Sequence, residues 1–162
     1  GTRGELSTNP QVTYPEGVFI GYRHFDRAPE TVRFPFGFGL GYTDFTFKIR
    51  GIEFKNASVS APEVRLSVEV CNTGRRTGSA VVQLYCGALE PILPRPIKEL
   101  RDFRKLELAP GALALTEFTL KERDFAFFDE KTKKFRVAPG RYAITVGYSA
   151  KTVADTIELT LQ

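Results

Sequence analysis

Six of the 19 Asp and Glu residues are the candidates in this sequence for a catalytic acid or base: Glu16, Asp26, Asp44, Asp124, Asp129 and Glu130. Cleavage of a glycosidic bond, for example, needs two carboxyl groups that face one scissile bond. The six acids form no recognisable pair along the chain. Glu16 and Asp26 lie among aromatic residues, where hydrogen bonds from Arg23 or from backbone amides explain them better than catalysis. We therefore assign no catalytic residue.

The other reactive groups also lack the partners that their chemistry requires. His24 is the single histidine and cannot by itself establish a catalytic triad. The glycine-rich run 37–41 is followed by neither a helix nor a Lys-Ser or Lys-Thr pair, so it predicts a backbone turn rather than a phosphate or cofactor site. Cys71 and Cys86 have no metal-ligand spacing, which predicts no metal site. Because they follow opposite phases of their strands, two separate thiols are favoured, and a disulfide stays open.

The charge pattern argues against nucleic acids and membranes as partners. The formal net charge is only +4, and acidic residues interleave with most of the basic clusters. No apolar stretch approaches the ~20 residues of a membrane helix. Asn56, in Asn56-Ala57-Ser58, fits the acceptor pattern for N-glycosylation and falls between two predicted strands. A chain without Met is also expected to be a piece of a longer protein.

The elements that position these residues are predicted to be strands. Apolar residues alternate with period two from Glu63 and again through 80–86, and a turn-rich loop joins the two runs. Further strands are predicted at 45–54, 99–108, 114–120, 135–137, 141–148 and 153–161. Residues 121–128 could form a helical turn, although their aromatic side chains would suit a strand or loop equally well. Seven or eight short strands with frequent turns predict an all-β, two-sheet antiparallel sandwich over residues 44–162.

Residues 1–43, which we call the arm, differ from the rest of the chain. Eight aromatic residues lie there among prolines and glycines, with little alternation and no periodic run. Such a segment is ordered only if its aromatic side chains find a surface to cover. We predict an extended arm that packs along another domain. The expected contact residues are Tyr22, Arg23, His24, Phe25, Asp26, Phe34 and Phe36, with completion of the sandwich's own core as the alternative.

Two strings in the arm carry a resemblance to a known family. They are Tyr-Pro-Glu-Gly-Val-Phe-Ile-Gly-Tyr-Arg-His-Phe-Asp at 14–26 and Phe-Pro-Phe-Gly-Phe-Gly-Leu-Gly-Tyr-Thr-Asp-Phe at 34–45. Together with Val-Cys-Asn-Thr-Gly at 70–74, Val-Val-Gln-Leu-Tyr at 81–85 and Lys-Glu-Leu-Arg-Asp-Phe at 98–103, they resemble the C-terminal region of family 3 glycoside hydrolases. His24 and Gly41 depart from the family pattern, which usually has Tyr or Phe and Ser at these positions.

The resemblance implies a fibronectin type III-like module, with residues 1–43 as the connector from a preceding α/β-sandwich domain. It implies a β-glucosidase-like parent that is a retaining two-carboxylate enzyme, both of whose catalytic acids lie upstream of this chain. The expected partners are the parent's catalytic domains, and carbohydrate stays possible. The expected location is extracellular or secreted, with an intracellular one not excluded. Two alternatives stay open: an independent carbohydrate-binding module and a protein-binding, adhesion-type sandwich.

Overall fold

The alternating segments form antiparallel strands in the computed structural model, which describes residues 14–28 and 31–162. The strands are β1 (Phe45–Asn56), β2 (Glu63–Asn72), β3 (Gly78–Ala88), β4 (Glu99–Leu108), β5 (Leu113–Lys121), β6 (Phe127–Asp129), β7 (Lys134–Arg136), β8 (Gly140–Gly147) and β9 (Val153–Leu161). Two single helical turns accompany them, α1 (Tyr22–Phe25) and α2 (Glu122–Phe125). The predicted bounds of β4 and β9 match the structure, and the other predicted strands agree to within two residues.

The strands form two layers. One sheet has the order β1-β2-β5 and the other the order β4-β3-β8-β9, while β6 and β7 form a short separate ribbon. All of the strand pairs are antiparallel. The all-β, two-sheet antiparallel sandwich expected from the sequence is therefore confirmed.

The core lies between the two sheets and is built from one phase of each alternation. Val64, Leu66, Val68 and Val70 of β2 are at most 1% exposed, because they face the apolar side chains of β3, β8 and β9 across the interlayer space. Burying each such side chain contributes about 1.5–3 kcal/mol. Hydrophobic burial therefore fixes the register of both sheets, since a slip by one residue would turn this set outward.

The segment after β5 combines both of the conformations considered from its sequence. Residues Glu122–Phe125 form α2, and the carboxylate of Asp124 accepts a hydrogen bond from the Lys121 amide at 2.7 Å, which caps the turn. Phe125 is fully buried, with its ring 5.3 Å from that of Tyr142. Phe125 of this turn therefore packs into the core of the sandwich. The chain then continues into β6, a three-residue strand that the sequence did not predict.

Asn72, at the end of β2, joins four segments of the chain. Its side-chain amide donates to the carbonyl oxygens of Arg76 and Leu108, both at 2.8 Å. Its side-chain oxygen accepts from the Gly74 amide at 3.1 Å and from the Thr43 hydroxyl at 2.6 Å. Asn72 is fully buried, so each of these bonds satisfies a group that would otherwise be desolvated without a partner. The Asn-Thr-Gly string thus has a structural role.

The two cysteines lie in different sheets as separate thiols. Cys71 in β2 is partly exposed, and Cys86 in β3 is buried. Burial raises the pKa of the Cys86 thiol to about 12. The preference for two thiols over a disulfide is confirmed.

Candidate docking surface on the arm

The arm folds back against the sandwich through α1. Gly21 starts this turn with a φ of +56°, a conformation that favours glycine, and its carbonyl accepts from the amides of His24 and Phe25 at 3.1 and 3.3 Å. The turn places Tyr22 and Asp26 on one side, because residues four apart in a helix lie one above the other. The arm therefore contains a short ordered element where the sequence predicted only extended chain.

Three consecutive residues of the sandwich bind this turn. The Lys98 ammonium lies 2.6 Å from the Asp26 carboxylate. The Glu99 carboxylate lies 3.0 Å from the Arg23 guanidinium. The backbone amide of Leu100 donates to the Tyr22 hydroxyl at 2.8 Å. The Lys-Glu-Leu string at 98–100 thus forms a binding site for the arm.

A second anchor lies further along the arm, at 36–37. The Phe36 carbonyl accepts a hydrogen bond from the Ala150 amide at 2.8 Å. Gly37, with a φ of +81°, packs so closely on Gln83 that a Cβ atom would lie 2.9 Å from the Gln83 side-chain carbonyl carbon. The Gln83 amide group in turn donates to the Tyr148 carbonyl at 3.2 Å. A side chain at position 37 would therefore disturb this contact.

These anchors cover part of the outer face of the β4-β3-β8-β9 sheet. Gln83 and Tyr85 belong to the phase of β3 that points away from the core, yet they are only 4% and 1% exposed. The Tyr85 hydroxyl donates to the Gln83 side-chain oxygen, and the Tyr22 ring lies edge-on to the Tyr85 ring at 6.0 Å. Burial raises the pKa of the Tyr85 phenol well above its usual range, and Tyr22 and Asp26 add to the effect. The titration of Tyr85 is therefore sensitive to arm docking.

Other aromatic side chains of the arm face solvent. Phe25, Phe34 and Phe36 are 40%, 74% and 52% exposed, and Tyr42 is 89% exposed. The Phe36 ring also lies 5.6 Å from that of Tyr22, which links the outward side chains to the docked turn. Within residues 14–28 and 31–43, the arm is thus fixed to the sandwich on one side and exposes aromatic side chains on the other.

A groove of about 400 Å³ lies where the two anchors meet. Its walls include Phe25, Phe34 and Phe36, and its charged lining residues are Asp26, Lys98 and Lys151. One Asp26 oxygen binds Lys98, and the other is buried without a hydrogen-bond partner. The groove therefore combines apolar walls with a charged edge.

The structure divides the seven predicted interface residues into two groups. Tyr22, Arg23 and Asp26 direct their polar groups into the sandwich, which is the alternative that the sequence left open. Phe34 and Phe36 are exposed, as are His24 and Phe25, whose rings pack edge to face at 5.3 Å. Contact of these residues with a neighbouring domain stays a prediction. Lys98 and Gln83, which bind the arm, were missed as site residues. Their membership of the family-like strings at 98–103 and 81–85 is the one signal that could have suggested them.

The buried carboxylates have structural partners. Asp129 binds the Arg136 guanidinium at 2.7 Å and accepts from the Lys131 amide at 3.0 Å. Burial alone would raise the pKa of Asp129, but these two groups and the Thr132 amide together hold it below its ordinary value. Among the described residues, no cluster of three or more His, Cys, Asp or Glu side chains could hold a metal ion.

Asn56 ends β1 and is exposed. Its side-chain oxygen accepts a hydrogen bond from the Ser58 amide at 2.9 Å. This Asx turn presents the side chain at the surface of the loop between β1 and β2. In the part of the chain that the structure describes, no helix is both long enough and apolar enough to cross a membrane.

Comparison with known proteins identifies the sandwich and its context. Residues 80–150 match the family described as Fibronectin type III-like domain. The chain is 41% identical over 150 residues to a β-glucosidase of Rhizobium radiobacter, covering 93% of this chain and 18% of that protein. It is also similar to the crystal structure of the Kluyveromyces marxianus β-glucosidase in complex with glucose. That match has a TM-score of 0.85 at 35% identity and covers 92% of this chain and 18% of that one.

A third similar structure is described as a family 3 glycoside hydrolase. The crystal structure of the Bifidobacterium adolescentis GH3 β-glucosidase has a TM-score of 0.83 at 35% identity, covering 90% of this chain and 21% of that one. The chain thus spans about a fifth of the length of these relatives. Its sandwich is a fibronectin type III-like domain. Over at least nine tenths of its length, the chain is similar to one region of β-glucosidases, among them the GH3 enzyme of Bifidobacterium adolescentis.

Proposed function

We propose that this chain is the non-catalytic, C-terminal module of a β-glucosidase-like family 3 glycoside hydrolase, and that it acts in stability and interdomain packing. Residues 44–162 form the sandwich, and residues 1–43 form the connector from the preceding α/β-sandwich domain. The parent polypeptide hydrolyses terminal, non-reducing β-glycosidic bonds. Its catalytic domains are the partner, within one polypeptide or as a processed chain.

The observation that carries this proposal is the exposed aromatic surface on an arm whose inner side is fixed. Tyr22, Arg23 and Asp26 hold the arm on the sandwich, so Phe25 and Phe34 project outward without relying on a partner for their position. Full burial of a large apolar side chain contributes about 1.5–3 kcal/mol. A neighbouring domain that covers these side chains therefore gains stability, and the fixed arm reduces the ordering cost of association.

Activity of the chain itself provides the first test. A chromogenic aryl β-glucoside should show no turnover with the isolated chain, because Asp26, Asp124 and Asp129 are bound to structural partners. Glu16→Gln and Asp26→Asn serve as controls for trace contamination. Turnover that survives purification and disappears in either variant would contradict the proposal.

A sugar-binding role is the second candidate, and the groove is the observation that favours it. Aromatic walls beside the charged side chains of Asp26 and Lys98 suit the faces and hydroxyl groups of a pyranose. Isothermal titration of the chain with gluco-oligosaccharides separates the two candidates. The packing role predicts no saturable heat, whereas a saturable heat that Phe34→Ala removes would favour the sugar-binding module.

The proposed parent is extracellular or secreted. Asn56 is then an acceptor for N-glycosylation, supported by its exposure and its Asx turn. Expression through a eukaryotic secretory route, followed by mass spectrometry with and without a peptide N-glycosidase, tests this. The Ser58→Ala variant should lose the glycan because the acceptor pattern is broken.

A further inference from the structure

The charges beneath the arm do not balance. Four cations contact only two carboxylates here: Arg23, Arg95, Lys98 and Arg101 against Asp26 and Glu99. The Glu99 carboxylate is shared by three guanidiniums, those of Arg23 at 3.0 Å, Arg101 at 2.8 Å and Arg95 at 3.7 Å. Asp26 is paired with Lys98. This cluster, which we call the Glu99 cluster, therefore has an excess of two positive charges.

The excess charge is partly buried. The side chains of Arg95, Arg101 and Lys98 are 10%, 16% and 17% exposed, and Arg23 is 31% exposed. The Nε atom of Arg101 is buried without a hydrogen-bond partner. Water screens such charges less than it screens surface charges, so an additional anion nearby is favourable.

A carboxylate on α2 has a different partner. Asp124, whose charge also acts on the nearby Cys86, is bound to the Lys121 amide at 2.7 Å and caps α2. Arg95 donates to the carbonyl oxygens of Phe125 and Ala126, which are neutral acceptors and leave the formal charge of the cluster unchanged. A carboxylate on the molecule that covers the arm would compensate this charge. Lys98 belongs both to the cluster and to the edge of the groove, so the charge and the apolar walls adjoin each other.

Resting on the proposed function, we propose that the segment of the neighbouring domain that covers the groove is both apolar and acidic. An apolar side chain enters between Phe25, Phe34 and Phe36, and a carboxylate of the same segment pairs with the excess charge beside Lys98 and Arg23. A cationic segment would meet like charge, which disfavours its binding. A neutral sugar would fill the groove but leave the charge uncompensated.

Small probes on the full chain test this chemistry directly. We would titrate 3-phenylpropionate, phenethylamine and cellobiose separately and follow amide chemical shifts by NMR. The two aromatic probes share a ring and differ in the sign of their charge. We expect 3-phenylpropionate to shift amides in 22–26, 34–36 and 98–101, with an affinity that falls as ionic strength rises. Phenethylamine and cellobiose should not produce these shifts. An equal or stronger response to either of them would overturn the proposal.

Two variants of β4 separate charge recognition from general loosening of the arm. Glu99→Gln removes a negative charge and should tighten 3-phenylpropionate binding about two- to fivefold, whereas Arg101→Gln should weaken it by a similar factor. Both changes break the same ion pair, so a purely structural effect moves both affinities in one direction. Arg50→Gln, which breaks the Arg50–Glu69 pair on the other sheet, is the matched control and should leave the affinity unchanged.

The outcomes also separate this inference from the proposed function. Absence of any response to 3-phenylpropionate would overturn the acidic, apolar partner. If the parent polypeptide still lost heat stability when the arm phenylalanines were replaced, the proposed role in interdomain packing would remain supported although the acidic partner was not. Affinity changes of the same sign in Glu99→Gln and Arg101→Gln would likewise overturn the assignment of the charged cluster.

Discussion

Replacing Gly37 by Ala should release the arm without unfolding the sandwich. A left-handed φ costs a residue with a Cβ atom about 1–2 kcal/mol. The new methyl group would also displace the Gln83 side-chain amide. That amide donates a hydrogen bond to the Tyr148 carbonyl and accepts one from the Tyr85 hydroxyl. Loss of one or both of those hydrogen bonds costs about 1–2 kcal/mol in total. The free energy that holds the arm should therefore fall by about 2–4 kcal/mol.

Two amides of the sandwich report this release, because each donates to the arm. The Leu100 amide binds the Tyr22 hydroxyl, and the Ala150 amide binds the Phe36 carbonyl. Their hydrogen exchange should accelerate roughly 30- to 700-fold in Gly37→Ala, since 1.4 kcal/mol corresponds to a factor of ten. Amides at the centre of β2 should keep their rates, because that strand lies in the other sheet.

Gly39 provides the matched control. It lies two residues further along the same arm, and a Cβ atom there would contact nothing within 4 Å. The Gly39→Ala variant should therefore exchange like the wild type. Unchanged rates at Leu100 and Ala150 in Gly37→Ala, or equal acceleration in both variants, would refute the assignment of Gly37 as an anchor.

Three further predictions concern the sandwich. In urea melts, Leu84→Ala should lower the free energy of unfolding by about 2–5 kcal/mol and Val81→Ala by less than ~1 kcal/mol, because Leu84 is fully buried and Val81 is 39% exposed. Equal losses would contradict the assignment of Leu84 to the inner face of β3 and of Val81 to its outer face. Burial raises the Tyr85 pKa, so the folded chain retains a proton that the unfolded chain loses near pH 10, and stability should fall as pH rises above that value. Between pH 9 and 11, the urea midpoint of the Tyr85→Phe variant should depend less on pH than that of the wild type. The same pH dependence in both proteins would contradict this. At pH 8, iodoacetamide should label Cys71 before Cys86, because Cys86 is buried and burial raises the pKa of its thiol to about 12. Peptide mass spectrometry measures the order of labelling, and the reverse order would contradict this.

The strands were predictable because their alternation follows from the burial of one face. Val68 and Leu84 are buried as their positions in the pattern require. The three-residue strand β6 was missed, since so short a segment cannot display a period. α1 was missed for the same reason, because a single turn stabilised by tertiary contacts leaves little periodic signal.

The docking of the arm could not be read from periodicity. Gln83 and Tyr85 occupy the outward phase of β3, and the sequence pattern does not show that a distant segment covers them. Likewise, the pairing of Asp26 with Lys98 joins residues 72 positions apart. The family-like strings marked both partners, but only the structure shows that they contact each other.

The central claim is that the outer side of the arm packs against the rest of the parent polypeptide. The most direct test replaces Phe34 and Phe36 together by Ser in that polypeptide and measures the half-life of its aryl β-glucosidase activity at elevated temperature. Phe135 and Phe54 provide the matched control, because they are 71% and 44% exposed against 74% and 52% for the arm pair.

Loss of full burial should cost roughly 1–2 kcal/mol for each arm phenylalanine in the parent, after discounting for partial burial in the isolated chain. We expect a shorter half-life for the Phe34 and Phe36 variant and an unchanged half-life for the Phe54 and Phe135 variant. Equal half-lives for the wild type and the arm variant would contradict it.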